Sequence, residues 1–134
     1  MGIKESFKRG SMEMLILCLL SKEDMYGYQL AQEINARSNG MLKVTEGSMY
    51  PHLYKLIEKK SISDSKRLIG KRRTRVYYHL EDEGRLLLEK YRKDFLDVND
   101  GIMCVLNSYD EGRHSFISKR VQHIHIAEEA EDQA

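Results

Sequence analysis

The sequence predicts a mainly α-helical protein that carries one small β-hairpin and a long C-terminal helix. Three observations support this fold class. A single proline in 134 residues leaves long segments free to form helices. Two β-prone segments flank Gly70-Lys71-Arg72, which predicts a hairpin. From Leu88 to Tyr109, apolar residues recur at alternating spacings of three and four, which predicts a helix with a heptad seam.

Composition indicates a soluble globular protein. Hydrophobic residues make up 41% of the chain and charged residues 32%, which is typical of a folded domain. The longest apolar run, Met14 to Leu20, is too short to span a bilayer, and no signal-peptide cleavage site follows it. We therefore expect a cytoplasmic protein without a membrane segment. Cys18 and Cys104 lie in apolar segments and are expected to be buried free thiols.

Two helices are predicted in the first third of the chain. Ser11 is expected to cap the first, and the nearly all-apolar run that follows to Leu20 predicts burial on several sides. The second is expected from about Tyr26 to Arg37, with Asn39-Gly40 ending it.

A third helix, from about Gly47 to Lys60, separates into two faces. Pro51 has no N–H and is expected in the first turn, which favours a cap at Gly47 or Ser48. The polar, basic face suits a helix that enters the major groove, but an ordinary surface helix has such a face too. The apolar arc, expected to pack on the first two helices, comprises Met49, Tyr50, Leu53, Tyr54, Leu56 and Ile57. The polar face comprises Ser48, Pro51, His52, Lys55 and Lys59.

The hairpin concentrates positive charge. Its strands are predicted at Ile62 to Ile69 and Arg73 to Leu80. A solvated hairpin usually mixes charge signs, whereas this one has no acid from Lys66 to Arg75, which indicates a polyanionic partner. Three helices with a polar third one, followed by a basic hairpin, is the order of a winged helix-turn-helix. The basic residues are Lys66, Arg67, Lys71, Arg72, Arg73 and Arg75.

The heptad seam of the fourth helix predicts a homodimer. Glu81-Asp82-Glu83 places acids at the helix start, where the helix dipole favours them. Asn99-Asp100-Gly101 is expected to be a weak, hinge-like point within the helix. The seam consists of Leu88, Tyr91, Phe95, Val98, Ile102, Val105 and Tyr109.

Over about residues 10–106, the chain resembles the PadR-type transcriptional regulators. The carrying segments, by number, are 26–30 (Tyr-Gly-Tyr-Gln-Leu), 46–53 (Glu-Gly-Ser-Met-Tyr-Pro-His-Leu), 73–80 (Arg-Thr-Arg-Val-Tyr-Tyr-His-Leu) and 83–84 (Glu-Gly). Val76 stands where the family often has lysine, which weakens a phosphate contact from that strand, and Glu81 stands where it often has threonine.

The resemblance implies a winged helix-turn-helix that binds double-stranded DNA as a homodimer. In the family the first helix also packs on the fourth helix of the partner subunit. Tyr50 is expected both to pack and to reach DNA with its hydroxyl, whereas Tyr54 is expected to pack. The expected DNA-binding residues are Tyr26, Ser48, Tyr50, His52, Lys55, Lys71, Arg72, Arg73 and Arg75. The expected dimer interface comprises Leu15, Leu19, Leu88, Tyr91, Phe95, Val98, Ile102 and Val105.

Other ligands and chemistry receive less support from the sequence. Some relatives bind flat or phenolic compounds, and multidrug-binding members stack them on tryptophan, which this chain lacks. Tyr91 and Phe95 are the candidate contacts for a small aromatic effector, although aromatics in a heptad seam are more often core. We expect no metal at His114, His123 and His125, no cofactor and no enzymatic activity, because no ligand set or catalytic arrangement is recognisable.

The sequence therefore predicts three segments: a DNA-binding domain (1–81), a dimerisation helix (82–109) and a C-terminal extension (110–134), expected to be partly mobile. The predicted function is a repressor that binds a pseudo-palindromic operator. A protein-interaction module is the alternative. The two differ in that DNA binding through several phosphates weakens steeply as salt rises.

Overall fold

The computed structural model describes residues 2–111. The described chain divides between Arg92 and Lys93 into two units. The segment expected between Phe116 and Ile126, the three histidines after Arg113 and the acidic C-terminal residues lie outside the described part. Within residues 2–111, the elements are α1 (Ile3–Arg9), α2 (Met12–Leu20), β1 (Met25–Tyr26), α3 (Gly27–Arg37), α4 (Glu46–Glu58), β2 (Ile62–Ile69), β3 (Arg73–Leu80) and α5 (Asp82–Glu111).

The first unit confirms the predicted winged helix-turn-helix. Helices α2, α3 and α4 pack against one another, and the sheet of β1, β2 and β3 covers the end of their core. Ile16, Leu30 and Leu53, one from each helix, are 0% exposed. Burying such a side chain stabilises the fold by about 1.5–3 kcal/mol. The core comprises Met12, Ile16, Leu17, Leu19, Leu20, Met25, Leu30, Ala31, Ile34, Met49, Leu53, Leu56, Ile62, Tyr78 and Leu80.

Helix α1 is an element that no sequence pattern predicted. None of its residues is buried, so it carries no apolar stripe directed at the core. Lys8 instead ties it to the loop before α4, because its Nζ donates to the backbone carbonyl of Lys43 at 2.7 Å. Ser11 precedes α2 as expected, but its hydroxyl donates to the Lys8 carbonyl at 2.8 Å and does not cap the helix.

Helix α4 begins earlier than predicted. Its N-cap is Thr45, whose hydroxyl accepts a hydrogen bond from the Ser48 backbone N–H at 3.3 Å, so the expected cap at Gly47 or Ser48 is wrong. Pro51 consequently lies inside the helix and not in its first turn. Pro51 and Gly47 are both exposed, and the Gly47 carbonyl that the proline leaves without a helical partner can bind water.

The sheet contains the predicted hairpin and one further strand. Its order is β1-β3-β2, with both pairs antiparallel. Strand β1 pairs Met25 with Tyr78 and Tyr26 with Tyr77, so Tyr26 lies in a strand and directly before α3, where the sequence predicted the start of a helix. The two residues are enough for a strand because the partner strand supplies the hydrogen bonds.

The hairpin presents different surfaces at its base and its tip. At the base, Ile62 lies opposite Leu80, and both are buried against the helices. At the tip, Gly70 adopts a left-handed conformation with φ 68°, which suits a residue without a Cβ. The residues from Ser65 to Arg75 are exposed apart from the half-buried Ile69, so the distal half of the hairpin projects from the core.

Helix α5 begins as the sequence predicted, with Asp82 and Glu83 in its first turn. Gly84 follows and is buried. The expected weak point at 99–101 does not interrupt the helix, which continues through these residues. A single glycine costs only about 1 kcal/mol relative to alanine, less than the continuous hydrogen bonding around it supplies.

Both cysteines are exposed, contrary to the expectation from their apolar neighbours. Cys18 lies on the side of α2 that the α3–α4 core leaves uncovered, and apolar residues on the other sides of the helix form the core. Among residues 2–111, no helix has the length and apolar character needed to cross a membrane.

Candidate nucleic-acid interface

Helix α4 is fixed by a narrow apolar arc. Met49, Leu53 and Leu56 are each 0% exposed and hold the helix against α2 and α3. At 100° per residue these three side chains occupy an arc of roughly 60°. Most of the helix circumference is therefore left for other contacts, and it includes every α4 residue expected to bind DNA.

The polar face of α4 lies where the sequence placed it. Ser48, Pro51 and Lys55 are exposed, and His52 is half-buried. Burial lowers the pKa of His52, with Lys55 and Arg9 adding to the effect and Glu13 opposing it. His52 is thus neutral at pH 7, and its ring offers one hydrogen-bond donor and one acceptor.

Tyr50 is half-buried and its hydroxyl is occupied. The hydroxyl donates to Glu46 Oε1 at 2.7 Å, one helical turn earlier. This hydrogen bond, together with burial, raises the pKa of Tyr50 to about 12. The expected packing of its ring is consistent with this position, and its hydroxyl is directed to a neighbouring carboxylate within the same chain.

Tyr54 is not packed, so the prediction for this residue is wrong. It is 64% exposed and stacks on Tyr50 with ring centroids 6.3 Å apart. On a helical wheel it lies roughly 130° from the centre of the buried arc, as Lys55 does on the other side. Tyr54 is therefore a candidate contact that the sequence reasoning missed, because it took the apolar arc to be wider than the three residues that fill it.

The hairpin tip carries three exposed bases close together. Lys71 and Arg72 occupy the turn after Gly70, and Arg73 opens β3 opposite Ile69. No acidic residue lies in the hairpin from Ser65 to Leu80. Long basic side chains on a projecting hairpin can reach phosphates of a nearby duplex.

Arg75 contacts Tyr26, and these two residues form a stacked set with Tyr77 and Arg67. The Arg75 guanidinium carbon lies 4.2 Å from the centre of the Tyr26 ring, and Tyr26 meets Tyr77 edge-on with centroids 5.4 Å apart. Arg67 lies 4.3 Å from the centre of the Tyr77 ring. Stacking of this kind holds the guanidinium groups in place on the outer face of the sheet.

Asp24, just before β1, anchors this set at its inner end. It forms an ion pair with Arg67, and its Oδ1 lies 2.7 Å from His79 Nδ1. Burial opposes ionisation of Asp24, but the hydrogen bonds from His79 and Arg67 outweigh it and lower the pKa of the carboxyl. Arg67 is thus partly neutralised, whereas no carboxylate within residues 2–111 forms an ion pair with Arg73 or Arg75.

The residues expected at a dimer interface fall into two groups. Leu19 is buried in the core of its own chain, and Leu15, Leu88 and Tyr91 pack partly against that core. The Tyr91 hydroxyl donates to Glu13 Oε2 at 2.5 Å, and burial followed by this hydrogen bond raises its pKa. In the second unit the seam is exposed, at Phe95, Val98, Ile102 and Val105.

In residues 2–111, no group of three or more side chains is placed to hold a metal ion. The projecting basic hairpin, the stacked arginines and the exposed face of α4 form a surface suited to a polyanion. Residues 16–90 match the family model described as the transcriptional regulator PadR-like family. The chain belongs to the PadR-like family of transcriptional regulators. The match covers more than half of the chain and includes all of the residues named for this surface.

Solved structures of PadR-like regulators share this fold. The chain is 32% identical to a PadR-like transcriptional regulator from Bacillus cereus, covering 73% of this chain and 93% of that one, with a TM-score of 0.61. It is 28% identical to a PadR family regulator from Clostridium difficile, covering 72% and 98%, with a TM-score of 0.62. Bacillus subtilis PadR, solved in complex with operator DNA, has 24% identity and a TM-score of 0.55, covering 59% of this chain and 45% of that chain.

Proposed function

We propose that this PadR-like chain is a cytoplasmic repressor that binds a pseudo-palindromic operator in double-stranded DNA as a homodimer. The main support is the projecting hairpin, on which Arg72, Arg73 and Arg75 are exposed without a neighbouring acid. A protein of the same fold, Bacillus subtilis PadR, has been solved with operator DNA.

In this proposal the hairpin and the exposed face of α4 have different roles in DNA binding. The hairpin bases contact phosphates, which gives affinity without sequence information. The exposed face of α4, with Ser48, Lys55 and Tyr54, contacts base edges in the major groove and gives sequence preference. Tyr26 holds Arg75 in its stacked position, so it acts on DNA through that arginine.

The homodimer part of the proposal is supported by the exposed seam of α5. Four apolar seam residues in water are costly, and a second copy would cover them. Two subunits would present two α4 helices to half-sites separated by about 34 Å, one turn of DNA. Release by a small aromatic effector is proposed as well, with Tyr91 and Phe95 as the candidate contacts.

Fluorescence anisotropy with labelled DNA from upstream of the protein's own gene tests this function. We expect tight binding that weakens steeply between low and high salt and survives excess scrambled duplex. The triple variant Arg72→Glu, Arg73→Glu, Arg75→Glu should fold normally by circular dichroism and lose DNA retention. Tyr54→Ala should reduce the preference for operator over scrambled duplex.

A matched control carries the same change in charge at exposed positions away from the hairpin: Lys22→Glu, Arg85→Glu and Lys90→Glu. It should lower affinity much less than the hairpin variant. Binding of the wild type that ignores salt, or that scrambled DNA competes away completely, would reject a sequence-specific DNA-binding function. An aromatic ligand that never changes operator affinity would reject the effector part alone.

A further inference from the structure

A cleft lies beside α4, on the face that carries Ser48 and His52. Its volume is about 550 Å³, and α1, the loop before α4 and α4 itself line it. Pro51 completes the α4 wall. The residues on the other side include Lys8, Arg9 and Lys43. None of these three bases belongs to the surface described above.

One wall of the cleft is fixed by hydrogen bonds, and the cleft is positively charged. Lys8 Nζ donates to the Lys43 carbonyl at 2.7 Å and to Glu5 Oε1 at 2.9 Å, and its side chain is only 16% exposed. The bond to the Lys43 carbonyl ties α1 to the loop before α4, whereas the bond to Glu5 lies within α1. Three bases and one acid, Glu5, line the cleft close to α4 on this side, and the Lys43 side chain is exposed.

The cleft and the hairpin lie on opposite flanks of α4. On one flank His52 lines the cleft, and Lys59 lies 3.5 Å from Glu13 of α2. On the other flank, Tyr50 approaches the start of α3, where a Cβ built on Gly27 would lie 3.3 Å from its hydroxyl. The hairpin strand β3 packs on α3 on that side. The exposed face with Pro51 and Lys55 lies between the two flanks.

We propose that this α1–α4 cleft binds the sugar–phosphate backbone of operator DNA, with Lys43 as the principal phosphate contact. The proposal rests on the function proposed above and extends it, because each subunit would then grip the DNA backbone on both sides of α4. Neutral His52 can donate its ring N–H to the same backbone. In this proposal the role of helix α1 is to place basic side chains beside α4, the helix that contacts base edges.

Lys43→Ala tests the contact without disturbing the cleft, because the hydrogen bond from Lys8 goes to the backbone carbonyl of residue 43, which the substitution retains. The probe is a random-sequence 30-base-pair duplex alongside the upstream DNA, titrated by anisotropy at several salt concentrations. Loss of one phosphate contact should reduce the slope of log affinity against log salt by about 0.9 per subunit on both duplexes.

Glu5→Gln should change DNA affinity in the direction opposite to that of Lys43→Ala. It removes the only acid lining the cleft near Lys8 and should raise affinity for both duplexes. Lys22→Ala, an exposed lysine outside the cleft, should leave the slope unchanged. All variants should match the wild-type melting temperature, since the altered side chains are exposed.

The result that overturns the inference is a wild-type slope for Lys43→Ala together with unchanged affinity for Glu5→Gln, while the wild type binds operator tightly. The function proposed above then stands without this contact. A wild type that shows no salt-dependent DNA binding would reject both.

Discussion

Gly84 is the residue at which backbone and core approach most closely. A Cβ built on it would lie 2.1 Å from the backbone oxygen of Ser61 and 2.5 Å from Cδ1 of Leu80. Ser61 is buried, and its carbonyl also accepts a hydrogen bond from Glu81 N at 3.0 Å, so it cannot withdraw without breaking the start of α5. The first turn of α5 therefore packs directly on the backbone of Ser61, in the segment between α4 and β2.

Gly84→Ala should destabilise the fold by about 1–3 kcal/mol, the range for overpacking a well-filled site. Urea unfolding followed by circular dichroism measures the change. Gly101→Ala is the matched control, because a Cβ there meets nothing within 4 Å and the residue is helical. It should stabilise the helix by up to about 1 kcal/mol. Equal stability of the two variants would contradict the close contact at Gly84.

Tyr50 and Tyr54 show that a sequence pattern alone does not determine which of two neighbouring side chains is buried. Both are amphipathic, one turn apart, and the helical angle alone places both at the border of the apolar arc. Which of them packs depends on the width of the groove between α2 and α3, a tertiary property. The partner of the Tyr50 hydroxyl, Glu46, follows from helix geometry, since residues four apart face each other.

At the scale of elements, the sheet is held at its base by apolar pairs and at its outer face by charge. Asp24 bonds both Arg67 on β2 and His79 on β3, so one carboxylate joins the two hairpin strands to the segment before β1. The stacked rings of Tyr26 and Tyr77 lie beside it. The position of the hairpin relative to the helices thus depends partly on an ionised side chain.

Asp24→Asn should remove a pH-dependent part of the stability. The folded state holds the pKa of Asp24 below its ordinary value of 3.8, so its contribution is complete above that value and is lost as pH falls through the lowered pKa. At pH 5–7 the free energy of unfolding of the wild type should exceed that of the variant by no more than about 1 kcal/mol, because the pair is partly exposed, and its melting temperature should be correspondingly higher. The difference should shrink as the pH falls below the ordinary value of 3.8 and through the lowered pKa.

Thermal melts in steps of pH measure this difference, and Glu23→Gln, at the neighbouring exposed position, serves as the control. The difference in stability between the wild type and Glu23→Gln should not narrow in this way as the pH falls. A gap between wild type and Asp24→Asn that stays constant down to pH 2 would show that the carboxylate contributes no ion pairing to the fold.

Elements with a local cause were predictable, and those with a distant cause were not. The hairpin follows from β-prone segments around a glycine turn, and α5 from its apolar repeat. Strand β1 exists because β3 pairs with it, and α1 is held by a lysine that bonds a carbonyl far along the chain. The cap at Thr45 was missed because the first-turn preference of proline outweighed a threonine three residues before Ser48.

At the scale of the whole molecule, the seam of α5 determines the expected assembly. Val98→Glu places a charge among apolar seam residues and should convert the proposed homodimer to a monomer, because burying an unpaired carboxylate is costly. Light scattering after size exclusion should give twice the 15.7 kDa chain mass for the wild type and the single mass for the variant. Operator affinity should fall with it, since two half-sites are no longer bound together.

Lys93→Glu is the control for this variant, because position 93 lies on the outer side of the heptad and its charge faces water in either state. It should remain dimeric. A wild type of single mass at micromolar concentration, or a dimeric Val98→Glu, would reject the seam as the dimer interface.

The two exposed thiols allow distances to be measured by spectroscopy in the natural chain. Cys18 lies in the first unit and Cys104 in the second, and the sequence contains no other cysteine. Maleimide dyes or nitroxide labels can be attached to both without a single substitution. Energy transfer or pulsed electron resonance then reports the distances between the labels, within one chain and across the proposed homodimer, with and without DNA or a small aromatic compound.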